Sequence, residues 1–292
     1  MNSRAAQLAK NAAFAALAAA LFFALAEGAI RLFVRAPELA FRFPESNPQL
    51  RETRTYVRDP DLFWRLRPGV VVYEGEPTNA EGFRGPSLPP AKPPGTFRVA
   101  ALGDSCTYGI FIPRDAVYVF VAQRRLAERR PGLRVEALDA GVPGYTSLQA
   151  VRYLERDVIR YRPDVVTFYL GYNDGRPAVF FSDREQTPAR NAPLRTRALL
   201  RRSRVYQIAS AYLLARRAGP RVDPRDYRAN LEELIDFCRR EGARPVLFTY
   251  PNGTYPSPAS AYNPIIQEVG RARGVPVLDL EERMRPYEGD LS

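Results

Sequence analysis

The thirteen residues "FRVAALGDSCTYG", Phe97 to Gly109, change character in the middle. The first seven are strand-like and, Arg98 apart, without charge, as in a strand covered on both faces, whereas the rest are mostly small and polar and are bracketed by Gly103 and Gly109. This reading places Ser105 in a turn at the carboxyl end of a strand, where open α/β sheets gather their sites. A serine there is a nucleophile only if some group takes its proton, and the sequence of 292 residues contains no histidine.

Four further stretches read as strands: "LRVEALDAG" (133–141), "DVVTFYLG" (164–171), "ARPVLFTY" (243–250) and "VPVLDL" (275–280). Between them the apolar period changes to that of a helix. Leu148, Val151, Leu154 and Val158 share one face, behind Thr146 and Gln149 at capping-box spacing. Asp223 and Pro224 open a second helix, which continues through Leu231, Leu234, Ile235 and Cys238. This alternation predicts a mostly parallel sheet with helices on both faces.

Three successive strands end in turn-forming polar sequences: Gly103-Asp104-Ser105, "DAGVPGYT" (139–146) and "GYND" (171–174). Each alone is ordinary turn chemistry. Together they supply what acyl transfer needs: a hydroxyl nucleophile at Ser105, a glycine N–H at Gly144 and an amide donor at Asn173.

"GDSCTYG", "DAGVPGYTS" and "GYND" resemble, in order and separation, the first three blocks of the SGNH hydrolases, the GDSL-type esterases and lipases. The resemblance covers about residues 97–280, and the G-x-S-x-G elbow of the α/β-hydrolases is absent. It implies a flavodoxin-like three-layer α/β/α sandwich and a serine esterase working through an acyl-enzyme. By position, Ser105 resembles the nucleophile, with its own N–H, the Gly144 N–H and the Asn173 side chain as the oxyanion hole. "DPDLFWRLRPG" (59–69) and "TNAEGFRG" (78–85) resemble the flanking segment of membrane-attached bacterial members.

Two places depart from the family pattern. Asp139 stands where the second block usually opens with asparagine, which puts the bracing of that loop in question. The family's Asp-x-x-His, which supplies the base, is not found in the closing "VPVLDLEERMRPYEGDLS" (275–292), where no final helix is read after the last strand. The leading expectation is a chain truncated ahead of that block. The alternatives are a complete but inactive member, or a rewired enzyme that uses Asp174 or Asp104 as base, against which stands the low basicity of an ordinary aspartate. Asp279 reads as structural, and Asp290 as too close to the last strand to be the aspartate of the pair.

Around this domain the chain divides into a signal anchor or transmembrane helix (1–35), a linker with a small β-rich cap segment (36–95) and the hydrolase-like domain (96–292). Arg4 and Lys10 precede the uncharged run Asn11 to Ala26, which reaches membrane-spanning length through Val34 if Glu27 and Arg31 pair one turn apart. A cleaved export signal is the alternative, Ala24-Leu25-Ala26 suiting signal peptidase. Both readings put the rest of the chain outside the cytoplasm, in the periplasm or at the cell surface. The cap is read from pieces such as "GVVVYEG" (69–75), and "LPPAKPPG" (88–95) is the connector.

The net charge of +11 rests on arginines spread along the chain, Lys10 and Lys92 being the only lysines, and no nucleic-acid motif accompanies it. Cys106 and Cys238 have neither metal-ligand spacing nor the pattern of a disulfide framework, so no metal, cofactor or nucleic-acid partner is expected. A basic helical stretch at 194–217, with Leu199, Leu200, Val205, Ile208, Tyr212 and Leu213, packs on the domain, forms a lid or touches anionic lipid. The expected substrate is a small-molecule or glycan ester. The rival readings are an inactive membrane-tethered binding domain and an O-acetyl esterase or transferase of envelope polysaccharide.

Overall fold

The computed structural model describes residues 3–33, 53–73, 75–178, 182–184, 203–206, 208–209, 219–251 and 257–290. Helix α1 (Ser3–Phe33) comes first, followed by an antiparallel hairpin of β1 (Tyr56–Asp59) and β2 (Phe63–Leu66). Then come β3 (Thr96–Gly103), α2 (Ser105–Tyr108), α3 (Tyr118–Arg129), β4 (Arg134–Gly141), α4 (Ser147–Tyr153), β5 (Val165–Tyr169) and α5 (Tyr172–Gly175). After these follow α6 (Pro224–Arg240), β6 (Arg244–Phe248), α7 (Asn263–Arg273), β7 (Val277–Leu278) and α8 (Leu280–Met284).

Strands β3 to β7 form one parallel sheet in the order β4-β3-β5-β6-β7, the doubly wound flavodoxin-like order. Alternation along the strands makes the layers. Ala100 and Leu102 of β3 join Leu138, Val166 and Phe168 in a core with Leu154, Leu231 and Leu234, while Ala101 turns the other way to meet Ala137, Val119 and Phe120. The fold is thus the expected three-layer α/β/α sandwich. In register, Gly103 lies opposite Gly141 on one side and Tyr169 on the other, so the first three strands end level and their loops leave from one edge.

Local sequence signals set the helix starts. Thr146 and Gln149 form the expected capping box of α4, and the Asp223 side chain accepts the Arg225 N–H with Pro224 in the first turn of α6. Elsewhere the structure differs from the sequence reading. Of the strand-like piece at 69–75, the described residues form an isolated antiparallel bridge, Val71 to Pro77, with Tyr73 and Gly75 at φ of 65° and 94°; a regular hairpin lies upstream of it. Its Leu62, Phe63, Trp64 and Leu66, with Val72 and Phe83, belong to the same buried cluster as Leu102. The last strand shrinks to two residues, and a short helix, α8, does follow it because the Asp279 carboxylate accepts the Glu282 N–H and starts a helical turn.

In α1, Ala6–Phe33 is long and apolar enough to cross a membrane, and none of its most apolar window is buried, as in a signal anchor or signal sequence. Arg31 Nε donates to Glu27 Oε1 at 2.7 Å, the pairing that lets the polar residues sit within the span. The same carboxylate accepts hydrogen bonds from Ser203 Oγ and from the Arg204 and Val205 N–H groups at 2.8–3.0 Å. Most of the basic stretch 194–217, including Leu199, Leu200, Tyr212 and Leu213, lies outside the described residues, as do 34–52 and the Asp290 side chain.

Candidate active site

Ser105 is the first residue of α2, directly after β3, and is half-buried. Asp104 caps this single turn, its Oδ1 accepting the Cys106 N–H at 2.9 Å. The other end is closed by Arg84, a buried arginine that donates to the carbonyls of Tyr108, Gly109 and Ile112. The turn lies tightly against β4: a Cβ on Gly141 would stand 2.2 Å from the Tyr108 nitrogen, a separation only glycine permits.

Gly144 lies in the loop after β4 at φ +86°, the left-handed region, and an added Cβ would meet Trp64 Cζ2 at 3.1 Å. Three successive carbonyls of this loop are each held by a different segment. Pro143 O accepts Trp64 Nε1 at 3.3 Å, Gly144 O accepts Arg221 Nη1 at 2.7 Å and Tyr145 O accepts Asn173 Nδ2 at 3.2 Å. Among the described residues neither the Gly144 N–H nor the Ser105 N–H has an acceptor.

Asn173, buried in α5, joins the three loops. Its Nδ2 donates to Asp104 Oδ2 at 3.0 Å as well as to Tyr145 O, so both amide hydrogens are engaged with neighbours of Ser105 and of Gly144. Both partners are acceptors only, which fixes the orientation of the amide. Asp104 Oδ2 also accepts the Tyr250 hydroxyl at 2.7 Å. Burial, opposed by these hydrogen bonds, raises the Asp104 carboxyl to about 6.

The other carboxyls nearby are also shifted upward by burial. Asp139 rises to about 8, opposed by the Gly141 N–H on its Oδ1 and by the Arg84 charge, and its Oδ2 has no partner among the described residues. Burial thus favours the uncharged form of this acid. Asp174 rises to about 7, with Oδ1 accepting both N–H and Oγ–H of Ser147. Neither Asp104 nor Asp174 hydrogen-bonds Ser105 Oγ among the described residues. Asp279 is engaged by Thr249 and Gln267 besides capping α8.

The structure thus brings the loops of Ser105, Gly144 and Asn173 to one place. It also adds residues that the sequence reading missed. Trp64 and Arg84 lie in the two flanking segments, 59–69 and 78–85, without a role read for either; like Asp183, Arg221 and Tyr250 they act across long sequence separations. Cys106 is exposed beside Ser105 and Cys238 is buried in α6, both as free thiols. Among the described residues no cluster of three or more metal-binding side chains occurs.

A lipase/acylhydrolase from Enterococcus faecalis is 22% identical, with 66% of this chain and 80% of that one covered and a TM-score of 0.44. A psychrotrophic esterase, EstA, from Pseudoalteromonas sp. is 16% identical, with 63% and 76% covered and a TM-score of 0.41. No curated protein matches the chain. The model of the GDSL-like lipase/acylhydrolase family matches residues 101–292, a stretch that takes in all three loops of the site. On that match the chain belongs to the GDSL-like lipase/acylhydrolase family, and its activity class is carboxylic ester hydrolysis.

Proposed function

We propose that Ser105 is the nucleophile of this esterase and that the Ser105 N–H, the Gly144 N–H and the Asn173 amide form its oxyanion hole. The observation that carries the reading is the pair of backbone donors at Ser105 and Gly144, without acceptors among the described residues, in loops joined by the Asn173 side chain. Ser105 Oγ attacks the ester carbonyl carbon and passes its proton to a base. The carbonyl oxygen takes up negative charge against the Ser105 and Gly144 N–H groups; as the C–O bond breaks, the protonated base gives its proton to the leaving oxygen, which departs as the alcohol. Water then attacks the acyl-enzyme by the same route and releases the acid. Asn173 can turn one N–H toward the oxyanion because Asp104 Oδ2 keeps the Tyr250 hydrogen bond.

The 292 residues offer no imidazole as the base. An added imidazole at neutral pH has the pKa for that role. The substrate is a small-molecule ester; a glycan ester of the envelope is the class favoured by an extracytoplasmic domain held by α1 as an anchor. In this organisation 1–35 is the anchor, 36–95 the linker and cap, and 96–292 the catalytic domain.

The test is to treat the full chain, in detergent micelles, with p-nitrophenyl butyrate and imidazole and to locate the butyryl group by peptide mass spectrometry. The expected site is Ser105, with no such peptide in Ser105→Ala. Butyrylation of Cys106, or none at Ser105, contradicts the assignment.

A further inference from the structure

The Gly144 N–H belongs to the same peptide unit as the Pro143 carbonyl. In a trans peptide the two point in opposite directions, so whatever holds Pro143 O sets the aim of the Gly144 N–H. Trp64, from the hairpin before the sandwich, makes that hold through Nε1. Its ring also lies against Gly144, and its own carbonyl accepts the Tyr145 hydroxyl at 2.7 Å.

The next peptide is held from the other side. Arg221, just ahead of α6, donates to Gly144 O and stands over the Trp64 ring at 5.8 Å. Its guanidinium is itself fixed, with Nε and Nη2 on the two oxygens of buried Asp183 at 3.1 and 2.9 Å and Nη2 also on Gln149 Oε1 at 3.2 Å. The Thr146 hydroxyl bonds Asp183 Oδ2 at 2.7 Å, and Gln149 Nε2 bonds Leu62 O at 2.7 Å, which closes the network back onto the hairpin. Such a fork holds a planar guanidinium in a single orientation, which an ammonium group cannot reproduce.

We infer that Trp64 and Arg221, the latter held by Asp183, are positioning residues that aim the Gly144 N–H at the oxyanion, so that the hairpin before the sandwich is part of the catalytic machinery. This rests on the reading of Gly144 as an oxyanion donor. Neither residue touches the substrate. Both act on turnover through the peptide they hold.

Two readouts on the full chain test it. The first is Ser105-dependent hydrolysis of p-nitrophenyl acetate with imidazole supplied, compared for Trp64→Phe, Arg221→Gln and Arg221→Lys. Misaiming one donor is expected to lower kcat about tenfold to a hundredfold with KM within about twofold, and Arg221→Lys is expected to recover part of the loss. The second needs no turnover. Trp64 is the sole tryptophan, so its emission reports butyrate binding at the free N–H groups. Trp64→Phe is not readable in this way, but Arg221→Gln is expected to weaken butyrate at least fivefold.

Unchanged kcat in both Trp64→Phe and Arg221→Gln, or butyrate affinity unchanged in Arg221→Gln, at wild-type melting temperatures overturns the proposal. If Ser105→Ala keeps all imidazole-dependent turnover, the assignment of Ser105 fails instead, and the butyrate measurement still decides the clamp. Absence of both turnover and butyrate binding in the wild type contradicts the clamp and the oxyanion reading together.

Discussion

The two halves of the candidate site are built to different degrees. On the side of the proposed oxyanion hole, beyond β4 and β5, every carbonyl from Pro143 to Tyr145 is held by a side chain, while the N–H groups of Ser105 and Gly144 have no acceptor among the described residues. Beyond β6 and β7, Tyr250 is turned onto Asp104 and Asp279 onto α8, and no side chain described there reaches Ser105 Oγ. On the proposed assignment, the donors for a developing charge are held by Trp64, Arg221 and Asn173, side chains distinct from any group that would move the proton. In serine hydrolases the oxyanion hole and binding alone account for about 10³–10⁴ of the rate enhancement.

The largest expected break in this contrast is Gly144→Ala. The added methyl would be forced at positive φ against Trp64, and displacing the donor is expected to lower kcat about 10²–10³-fold in imidazole-supported esterase kinetics, with little loss of binding. Gly141→Ala strikes the packing beneath the Ser105 turn. A Cβ 2.2 Å from backbone nitrogen cannot be relieved by a rotamer change, so denaturant unfolding is expected to show a loss of about 3 kcal/mol.

Tyr250→Phe removes one of the two donors on Asp104 Oδ2 and is expected to cost about 1 kcal/mol in the same measurement. It sharpens the comparison, because Asn173 then becomes the only other side-chain donor on that oxygen among the described residues and turns less readily to the oxyanion. The expected kinetic sign is a lower kcat.

The smallest effect at neutral pH, and the most specific in its pH dependence, belongs to Asp139→Asn. Asp104, Asp174 and Asp139 have folded-state values of about 6, 7 and 8, whereas an unfolded aspartate titrates near pH 4. Between those limits the folded chain binds more protons than the unfolded one, so their contribution to stability is full below about pH 4 and is lost as pH rises through 6, 7 and 8. The amide introduced by Asp139→Asn carries no such proton, so thermal unfolding of this variant is expected to show a shallower decline toward pH 8 than the wild type. A parallel decline in both proteins would contradict a buried, protonated Asp139.

Legibility in the sequence followed the range of the interaction. The ends of β3, β4 and β5, the Thr146–Gln149 box and the Asp223-Pro224 start are decided by neighbours within four residues, and the sequence marks them. The sheet was legible because strands buried on both faces are largely apolar, here with Arg98 of β3 paired to Glu136 of β4 inside it. The hairpin at 56–66 is not marked in the sequence, where "GVVVYEG" is the more β-prone string, because tertiary burial of Leu62, Phe63 and Trp64 decides its place. Trp64 and Arg221 are 79 and 77 residues from the carbonyls they hold, and nothing in a local pattern encodes such a pairing.

The central claim is that this chain presents a nucleophile and an oxyanion hole and needs only a base. Its most direct test is the rate of p-nitrophenyl acetate hydrolysis by the full chain, less that of Ser105→Ala, against imidazole concentration and pH. The account predicts a difference that is small without imidazole, rises in proportion to the unprotonated imidazole, and disappears in Ser105→Ala. A fast rate independent of imidazole, or an imidazole-dependent rate that Ser105→Ala retains, would contradict it.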